Sequence, residues 1–456
     1  MQAEINIKSF IKSNKPNELR RILSSIPVQD LAEQVDNLDA QERRLFFELM
    51  PLDMAKQVFE YLPASIQKIT IQQLDHKEAA QILNEMAPDD RTAFLEDLSG
   101  PVLKNLLLLL SEDERKITLS LLGYPQDSVG RLMTPDYITV KEELTITEAL
   151  KKIRDNGANS ETLDAVYVTD HTGVLLDDLR ISQLLLAEPD KKISDIMDRA
   201  YLSLKVDQDQ EEAVKKFTKY HRLALPVTDK ENVLLGIVTV DDMLHISKEE
   251  DTEDIHKIGA VEALDEPYLQ ISIIRMIGKR AVWLIVLFLS EMLTATAMGF
   301  FEDEIAKAVV LALFVPLIIS SGGNSGSQAT TLIIRAMALG EVRLKDWWRV
   351  MRREILSGLM LGLILGTIGF LRIFTWTFFT DIYGPHWLLL ALAVGCSLVG
   401  VVMWGSLTGS MLPFLLRKLG LDPATSSAPF VATLVDVTGL IIYFSVGYFF
   451  LKGTLL

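Results

Sequence analysis

The sequence has 456 residues, of which 49% are hydrophobic, and its formal net charge is −16. That length predicts about two or three domains, and the acidic balance excludes the basic footprint of a nucleic-acid-binding protein. A single cysteine, Cys396, excludes a disulfide framework and a cysteine-rich metal site. The first residues lack the apolar core of a signal peptide, which predicts a cytoplasmic N-terminus.

Charge divides the chain into two parts. Residues 1–270 carry a formal charge of −20, whereas residues 271–456 carry +4 and run apolar for long stretches. This pattern predicts a multidomain membrane protein in which a large acidic soluble body precedes the membrane-spanning part.

The first predicted element is a helical repeat. The segment Ala55–Pro63 recurs 25 residues later as Ala80–Pro88, and a looser third copy begins at Lys104. One helix pair per period is typical of a small solenoid, in which each pair buries its apolar face against the next. We therefore predict an all-α, superhelical, cytosolic N-domain over residues 1–130.

A second internal repeat has a period of 64 residues. Leu132-Met133 recurs as Ile196-Met197, and Glu148–Ile153 recurs as Glu212–Phe217. Each copy continues into a strand-like run that ends in Val-Thr-Asp, so the pattern is helix, strand, strand, helix, twice. It resembles a tandem pair of cystathionine-β-synthase (CBS) modules, an α/β pair placed at 131–249, which implies binding of a regulatory ligand rather than catalysis.

In CBS modules a Gly-x-x-Ser/Thr-x-x-Asp segment often holds the ribose and phosphate of an adenine nucleotide. The second copy keeps this segment from Gly236 to Asp242, with Thr239 at the hydroxyl position, whereas the first copy departs from it at Asp177–Gln183. The resemblance implies ATP at the second module through Thr239 and Asp242. The alternative is a helix N-terminus with its capping residues.

Five of the six residues in Glu249–Asp254 are acidic. They precede a predicted helix that extends to Arg280, and we assign 250–280 to an acidic connecting helix. A strongly acidic body repels itself when compact, and divalent cations that bridge facing carboxylates relieve that repulsion and favour the closed form. Any single acid in this body is equally well explained as a solvated surface charge.

The remaining sequence predicts a transmembrane domain over residues 281–456. Five stretches are long and apolar enough to cross a bilayer; they lie near 281–300, 307–334, 354–377, 386–412 and 427–450. Basic residues are concentrated before the first stretch and in alternate loops. The positive-inside rule therefore places the N-terminus in the cytoplasm and the C-terminus outside, in a multi-pass protein of the inner membrane.

Ser320–Gln328 is a polar, glycine-rich run inside the second span, shortly after Pro316. Because such backbone is tolerated at membrane depth only against protein or water, the run predicts a break in the helix that lines a cavity. The alternative is close helix packing through small residues. Asn324 and Gln328, one helical turn apart, favour the cavity.

Asp436 lies near the centre of the fifth span, where a carboxylate costs roughly 2.5–3.5 kcal/mol. It indicates an ion path; a structural hydrogen bond or a protonated acid is the alternative. Glu291, in the first span, ranks lower. Pro413 and Pro429 can free backbone carbonyls, and an oxygen-only site suits Mg²⁺ or Ca²⁺. A two-fold axis would bring two copies of Asp436 together, so we expect a homodimer.

Three segments carry a more specific resemblance. They are Thr252–Lys257 (TEDIHK), Pro316–Gln328 with its Gly-Gly-Asn, and Asp436–Gly439 (DVTG). With the domain order, they make the chain similar to the MgtE family of bacterial magnesium channels along nearly its whole length. The resemblance implies a non-enzymatic, homodimeric, magnesium-selective pore lined by the second and fifth spans.

The resemblance also implies site residues. The pore residues are Asp436, Ala432, Ala428 and Asn324, with Ala428 standing where the family often has Asn. Cytosolic Mg²⁺ is expected to close the pore by binding a set of acids, namely Asp89, Asp209, Glu211, Glu250, Glu253, Asp254 and Asp422. Ala93 and His245 stand where relatives can have further acids.

These observations lead to the hypothesis of a magnesium-selective, inward-conducting channel with an intracellular magnesium sensor, whose partners are Mg²⁺, the bilayer and a second copy of the chain. One alternative is a coupled divalent-cation exchanger on the same scaffold. The other is a membrane-anchored receptor that senses a nucleotide through the CBS pair, with spans that only anchor it.

Overall fold

We describe the protein from a computed structural model, which covers residue 23 and residues 26–35, 38–96, 98–264, 268–269, 271–307 and 309–454. The chain divides into two compact units, Met1–Glu249 and Glu250–Leu456. The first contains the helical repeat and the CBS-like repeat, and the second contains the apolar helices.

The described N-terminal part is entirely helical. Its helices are α1 (Val28–Val35), α2 (Ala40–Leu49), α3 (Leu52–Glu60), α4 (Ala64–Gln73), α5 (His76–Glu85), α6 (Pro88–Glu96), α7 (Gly100–Leu107) and α8 (Glu112–Leu122). The pairs α3–α4, α5–α6 and α7–α8 follow the predicted period. Asp39 and Asp75 cap α2 and α5, with Glu42 and Glu78 closing the capping boxes. The predicted all-α repeat is confirmed.

Arg91 holds α6 against α8. Its guanidinium is fully buried. It donates to Thr118 Oγ1 at 2.9 Å, to the carbonyls of Leu83 and Met86 at 3.1 Å, and pairs with Glu114. A buried charge is tolerated when it is paired and its donors are bonded. Because Arg91 is bonded in this way, it fixes the position of the first turn of α6.

Two three-stranded sheets of the same topology follow. Their elements are α9 (Val129–Leu132), β1 (Thr139–Val140), α10 (Ile146–Asn156), β2 (Ala165–Thr169), β3 (Leu175–Arg180), α11 (Ile181–Leu186), β4 (Leu204–Lys205), α12 (Gln210–Tyr220), β5 (Ala224–Thr228) and β6 (Leu234–Thr239). In each sheet the first strand runs parallel to the second, and the third runs antiparallel to it. The predicted tandem α/β modules are confirmed.

The two modules form one body. Thr134, ahead of β1, and Ile237, in β6, exchange two backbone hydrogen bonds of 2.9 Å. The Asn232 side chain also donates to the Leu175 carbonyl at 3.2 Å. The second sheet is therefore tied to the segment that enters the first.

The predicted connecting helix is confirmed, but its bounds differ from the prediction. Helix α13 (Val240–Ile258) begins directly after β6, so the acidic run lies in its second half instead of ahead of a helix. The predicted helix to Arg280 is wrong, because α13 ends at Ile258 before Gly259 and Ala260, and Ala260 has a φ of 56°. The next helix begins at Ile273, where Ser272 caps it.

The second unit is built from long apolar helices. They are α14 (Ile273–Phe300), α15 (Glu302–Lys307), α16 (Val309–Ala312), α17 (Val315–Ala338), α18 (Trp347–Trp376), α19 (Trp387–Lys418) and α20 (Ala428–Leu451). Among the described residues, five helical stretches are long and apolar enough to span a membrane, with α16 and α17 forming one of them. The five-helix transmembrane domain is confirmed.

The predicted break at Ser320–Gln328 is wrong. Helix α17 continues without interruption from Val315 to Ala338, and the chain leaves helical geometry earlier, between α16 and α17, just ahead of Pro316. Pro413 also lies within a continuous helix, α19. Pro429 lies in the first turn of α20, where the backbone N–H that proline lacks would have no helical partner. The glycines of α17 lie against neighbouring helices.

Glycines allow α18 to approach α19 closely. A Cβ atom on Gly362 would lie 2.8 Å from Val399 Cα and 2.9 Å from the Val399 carbonyl oxygen. Small residues at such contacts let helix backbones approach within the membrane, where no hydrophobic effect drives helices together.

Candidate pore and cation-binding sites

One face of the polar run in α17 packs on α19. Ser325 Oγ lies 2.7 Å from Ser406 Oγ, and Thr330 donates to the Gly409 carbonyl at 2.8 Å. For these residues the packing alternative is correct, because small and hydroxyl side chains satisfy each other between two helices.

A second face of α17 is polar and exposed. Ser320, Asn324, Gln328 and Thr331 follow one another at helical spacing, and all four are exposed in the protomer. Asn324 donates to Ser320 Oγ at 3.3 Å. Polar side chains on a membrane-spanning helix require water or another protein surface, so this face is suited to line an aqueous path.

The third face of α17 meets Asp436 of α20. Gly323 is buried there; a Cβ atom on it would lie 3.4 Å from Asp436 Oδ1 and 3.3 Å from Ala432 Cβ. The structure therefore brings together the predicted pore residues Asp436 and Ala432 with the Gly-Gly-Asn motif. It also shows that the glycine provides space beside the carboxylate.

Asp436 is half-buried and forms no hydrogen bond or ion pair with any residue that the structure describes. Thr433 and Thr438 are bonded elsewhere: Thr433 donates to the Pro429 carbonyl at 2.9 Å, and Thr438 accepts from Trp404 at the same distance. Helix α14, which carries Glu291, packs against α20, which carries Asp436. Sequence spacing did not predict this packing, since 145 residues separate the two acids.

The other predicted pore residue of α20 has a local partner. The Ala428 carbonyl accepts a hydrogen bond from Ser327 Oγ at 3.0 Å, which joins the start of α20 to α17. A carbonyl oxygen has two lone pairs, so this bond leaves one acceptor position on Ala428.

An acidic cluster lies within the first unit. Asp89 is buried in the first turn of α6, and its Oδ1 has no hydrogen-bond partner in the part of the chain that the structure describes. The charges of Asp242, Asp90 and Glu161 act on it. Asp242 belongs to the first turn of α13. Asp89 was predicted as a sensor acid and Asp242 as a nucleotide contact, and the fold brings the two near each other.

Burial and mutual repulsion make these acids hard to ionise. Burial, together with the charges of Glu60 and Asp242, raises the pKa of Asp90 to about 8. Burial and Asp242 raise the pKa of Asp89 well above its usual range. Loss of hydration and Asp242 also raise the pKa of Glu161. Burial and neighbouring like charges both disfavour the ionised form of a carboxyl group, which explains the direction of these shifts.

Asp90, Glu161 and Glu60 were not predicted as members of this site. Asp90 directly follows Asp89, and Glu60 ends α3 within the same domain and acts on Asp90. Glu161 is distant in sequence and comes near Asp89 only through the packing of α6 against the CBS pair. Burial and the neighbouring Asp241 raise the pKa of Asp242, whereas His245 lowers it. No group of three or more acidic, histidine or cysteine side chains in the described ranges converges closely enough to hold a metal ion by itself.

Thr239 and Asp242, the predicted nucleotide residues, bond to each other, with Thr239 Oγ1 donating to Asp242 Oδ2 at 2.5 Å. A second pair joins the modules: Arg222 lies 3.1 Å from Asp178. Burial raises the pKa of Asp178 to about 6 in spite of that arginine. The Tyr167 hydroxyl is buried and has no hydrogen-bond partner among the described residues.

Two further predicted sensor residues are engaged locally. Asp209 caps α12 by accepting from the Glu211 N–H at 2.8 Å. Glu211 pairs with Lys215, four residues on, at 2.6 Å. These contacts are those of ordinary surface charges, and they leave the sensor role of both residues a prediction.

In the second unit the connecting helix makes ion pairs with segments next to the spans. Lys257 Nζ lies 2.5 Å from Glu253 Oε1 and 2.7 Å from Asp422 Oδ2. Asp251 lies 3.4 Å from Arg335, at the end of α17. The structure therefore brings together Glu253 and Asp422, two of the predicted sensor acids.

Family models match most of the chain. A divalent cation transporter model, MgtE, matches residues 315–446, the MgtE intracellular N domain matches 26–127, and the CBS domain matches 129–187 and 193–249. The chain is 37% identical over 452 residues to the magnesium transporter MgtE of Thermus thermophilus, covering 98% of each sequence. It is 27% identical over 449 residues to that of Bacillus subtilis, covering 98% of this chain and 97% of the relative.

Among solved structures, the chain is similar to the cytosolic domain of the Mg²⁺ channel MgtE in complex with ATP, with a TM-score of 0.52 and 31% identity. The match covers 53% of this chain and 99% of that one. The soluble part of a magnesium transporter matches with a TM-score of 0.51 and 26% identity, over 54% of this chain and 96% of that one.

Proposed function

Because the chain belongs to the MgtE family of magnesium transporters, we propose that it is a magnesium-selective channel for Mg²⁺ uptake, closed when intracellular Mg²⁺ binds its acidic cytosolic domains. The family is one of multi-pass membrane transporters and not of enzymes. The observation that carries the proposal is a carboxylate in a membrane-spanning helix, Asp436, that has no cationic partner in the described part of the chain and lies beside a space left by Gly323.

The chemistry of that site suits a hydrated divalent ion. Mg²⁺ sheds its water reluctantly and is commonly held through one or two carboxylates while it keeps several waters. Asp436 supplies charge, while the Ala432 and Ala428 carbonyls and the Asn324 amide supply oxygen acceptors for the waters of the ion. A soft metal would require thiolate or imidazole ligands, which are not among these residues.

A homodimer completes the proposed pore. A single Asp436 supplies one negative charge, and a two-fold axis through the exposed polar face of α17 would pair it with its copy. Arg275, Arg335 and Arg417 lie at the ends of spans that share one side of the membrane. We place that side in the cytoplasm of a cell with the protein in its inner membrane, which puts the C-terminus outside.

Closure follows from the acidic cluster. At neutral pH Asp89 and Asp242 oppose each other unless they bind protons or a cation, and a divalent ion that binds more tightly to the compact arrangement shifts the population toward it. Asp209, Glu211, Glu250, Glu253, Asp254 and Asp422 complete the proposed sensor. ATP is the proposed ligand of the second CBS module, through Thr239 and Asp242, supported by the ATP complex of the related cytosolic domain.

The test of the pore is Asp436→Asn in the full chain, reconstituted in liposomes with an internal Mg²⁺ indicator. We expect Mg²⁺ influx to fall at least about tenfold, because the substitution keeps the shape and removes the charge that attracts the ion. Asp381→Asn, which removes a charge from the loop between α18 and α19, is the matched control and should leave influx unchanged.

Influx at the wild-type level in Asp436→Asn would contradict the pore assignment. Flux that requires movement of a counter-ion would favour the exchanger, and a protein that moves no Mg²⁺ while binding nucleotide would favour the anchored receptor. Flux that follows the electrochemical gradient of Mg²⁺ alone supports the channel.

A further inference from the structure

Lys257 occupies the space between two carboxylates from different parts of the second unit. Its Nζ lies 2.5 Å from Glu253, one turn earlier in α13, and 2.7 Å from Asp422, in the segment between α19 and α20. All three side chains are partly exposed, with 30% to 40% of each accessible. The ammonium group therefore lies where a small cation from solvent would bind the same two oxygens.

Asp422 connects this ion pair to the pore helix. Its Oδ1 accepts from the Ala424 N–H at 2.9 Å, which caps the short 3₁₀ turn Pro423–Thr425. Helix α20 begins three residues later, at Ala428. Asp436 lies eight residues further, roughly 12 Å along the helix axis. A change at Asp422 Oδ2 thus acts on the segment that positions the start of α20.

We propose that Lys257 is a built-in competitor of the regulatory cation: its ammonium group bridges Glu253 and Asp422 when the ion is absent, and Mg²⁺ must displace it to bridge them. The proposal rests on the proposed function, because it assumes that cytosolic Mg²⁺ closes the pore. It adds a residue that sets the Mg²⁺ concentration at which closure occurs.

The physical argument is one of charge and mass action. Because Lys257 lies in the same helix as Glu253, the effective concentration of its ammonium group at the site is high. That concentration does not vary with the ion content of the cell. The single charge of Lys257 binds each carboxylate more weakly than a divalent ion would, so Mg²⁺ can replace it when abundant. Displacement costs the free energy of two partly exposed ion pairs, which raises the Mg²⁺ concentration needed for closure.

The first experiment measures the cytosolic Mg²⁺ concentration that halves the current. In Lys257→Met we expect this midpoint to fall about three- to tenfold, which corresponds to the loss of two partly exposed ion pairs. Lys257→Arg keeps the charge and should behave like the wild type. Lys418→Met removes a lysine from the end of α19, and it should leave the midpoint unchanged.

The second experiment compares one folded protein before and after a chemical change. Lys257→Cys is made in a Cys396→Ala background, which removes the single natural cysteine. Aminoethyl methanethiosulfonate then forms a mixed disulfide that carries an ammonium group. The unmodified protein should have the low midpoint, and modification should restore the wild-type value. The uncharged ethyl reagent should not.

A midpoint in Lys257→Met that is unchanged or higher than in the wild type overturns the proposal, as does equal restoration by both reagents. A wild-type protein that conducts Mg²⁺ without block by cytosolic Mg²⁺ would contradict the gating function itself. The two failures are therefore distinguishable in the same recording.

Discussion

At the scale of single residues, Gly323 determines the space beside the Asp436 carboxylate. Its missing side chain leaves room that a Cβ atom would fill at 3.4 Å from Oδ1 and 3.3 Å from Ala432 Cβ. The second distance is slightly closer than ordinary van der Waals contact, so helix α20 would have to shift by a few tenths of an ångström.

We therefore predict that Gly323→Ala lowers Mg²⁺ influx severalfold while the protein remains folded, because the methyl group excludes water from one side of the carboxylate. Influx into liposomes measures the effect, and thermal unfolding in detergent checks the fold. Gly299→Ala, where nothing lies within 4 Å of the added atom, is the matched control. Equal influx in the two variants would show that the space beside Asp436 is not used.

Asp242 shows how one residue can satisfy two sequence patterns. The Gly-x-x-Thr-x-x-Asp segment predicted a nucleotide contact, and the alternative was a helix N-terminus with its capping residues. A helix does begin at Val240, and Thr239 Oγ1 donates to Asp242 Oδ2 at 2.5 Å. The proximity of Asp242 to Asp89 was not predictable, because it depends on how α6 packs against the second module. Local patterns identify the residue, and tertiary packing decides what it faces.

At the scale of elements, the packing of α17 explains why the helix break predicted at Ser320–Gln328 is absent. Glycine costs about 1 kcal/mol in an exposed helix, which favours a break. In this helix the glycines lie against α19 and α20, where close packing offsets that cost. A glycine, Gly362, likewise allows α18 to pack closely against α19.

Gly362→Ala should destabilise the membrane domain by about 1–3 kcal/mol, because the new methyl group would overlap the Val399 backbone and force the helices apart. We expect a lower midpoint of thermal unfolding in detergent, with faster proteolysis of the loop between α18 and α19. Gly278→Ala adds the same methyl group to a helix with nothing nearby, and it should not destabilise. Equal midpoints for both variants would contradict the packing argument.

At the scale of the whole molecule, composition and periodicity predicted much of the architecture. The charge division, the two repeats and the five apolar stretches each depend on local sequence, and each is present. The end of α13 at Ile258 was missed although the sequence carries signals for it: His256 and Lys257 lie in the last turn, and Gly259 follows directly. The contacts of Lys257 with Asp422 and of Asp89 with Asp242 join distant segments, so periodicity alone could not reveal them.

The raised pKa values in the acidic cluster of Asp89, Asp90, Glu161 and Asp242 predict that the stability of the first unit depends on pH. The pKa of Asp90 rises from 3.8 to about 8 in the folded protein. Between these values the folded form binds more protons than the unfolded form. The free energy of unfolding therefore falls as pH rises, and this decrease is complete above the folded pKa of Asp90. Mg²⁺ requires the ionised carboxylates and should replace the protons at high pH.

We therefore expect the full chain in detergent and chelator to resist proteolysis between the N-domain and the CBS pair better at about pH 6 than at about pH 8, since protons relieve the repulsion. Millimolar Mg²⁺ should protect strongly at the higher pH and less at the lower, because protons compete with the ion. Asp90→Asn should flatten the pH dependence in chelator, whereas Asp164→Asn, outside the cluster, should not. Protection that rises with pH in chelator would show that these carboxylates do not oppose one another in the compact form.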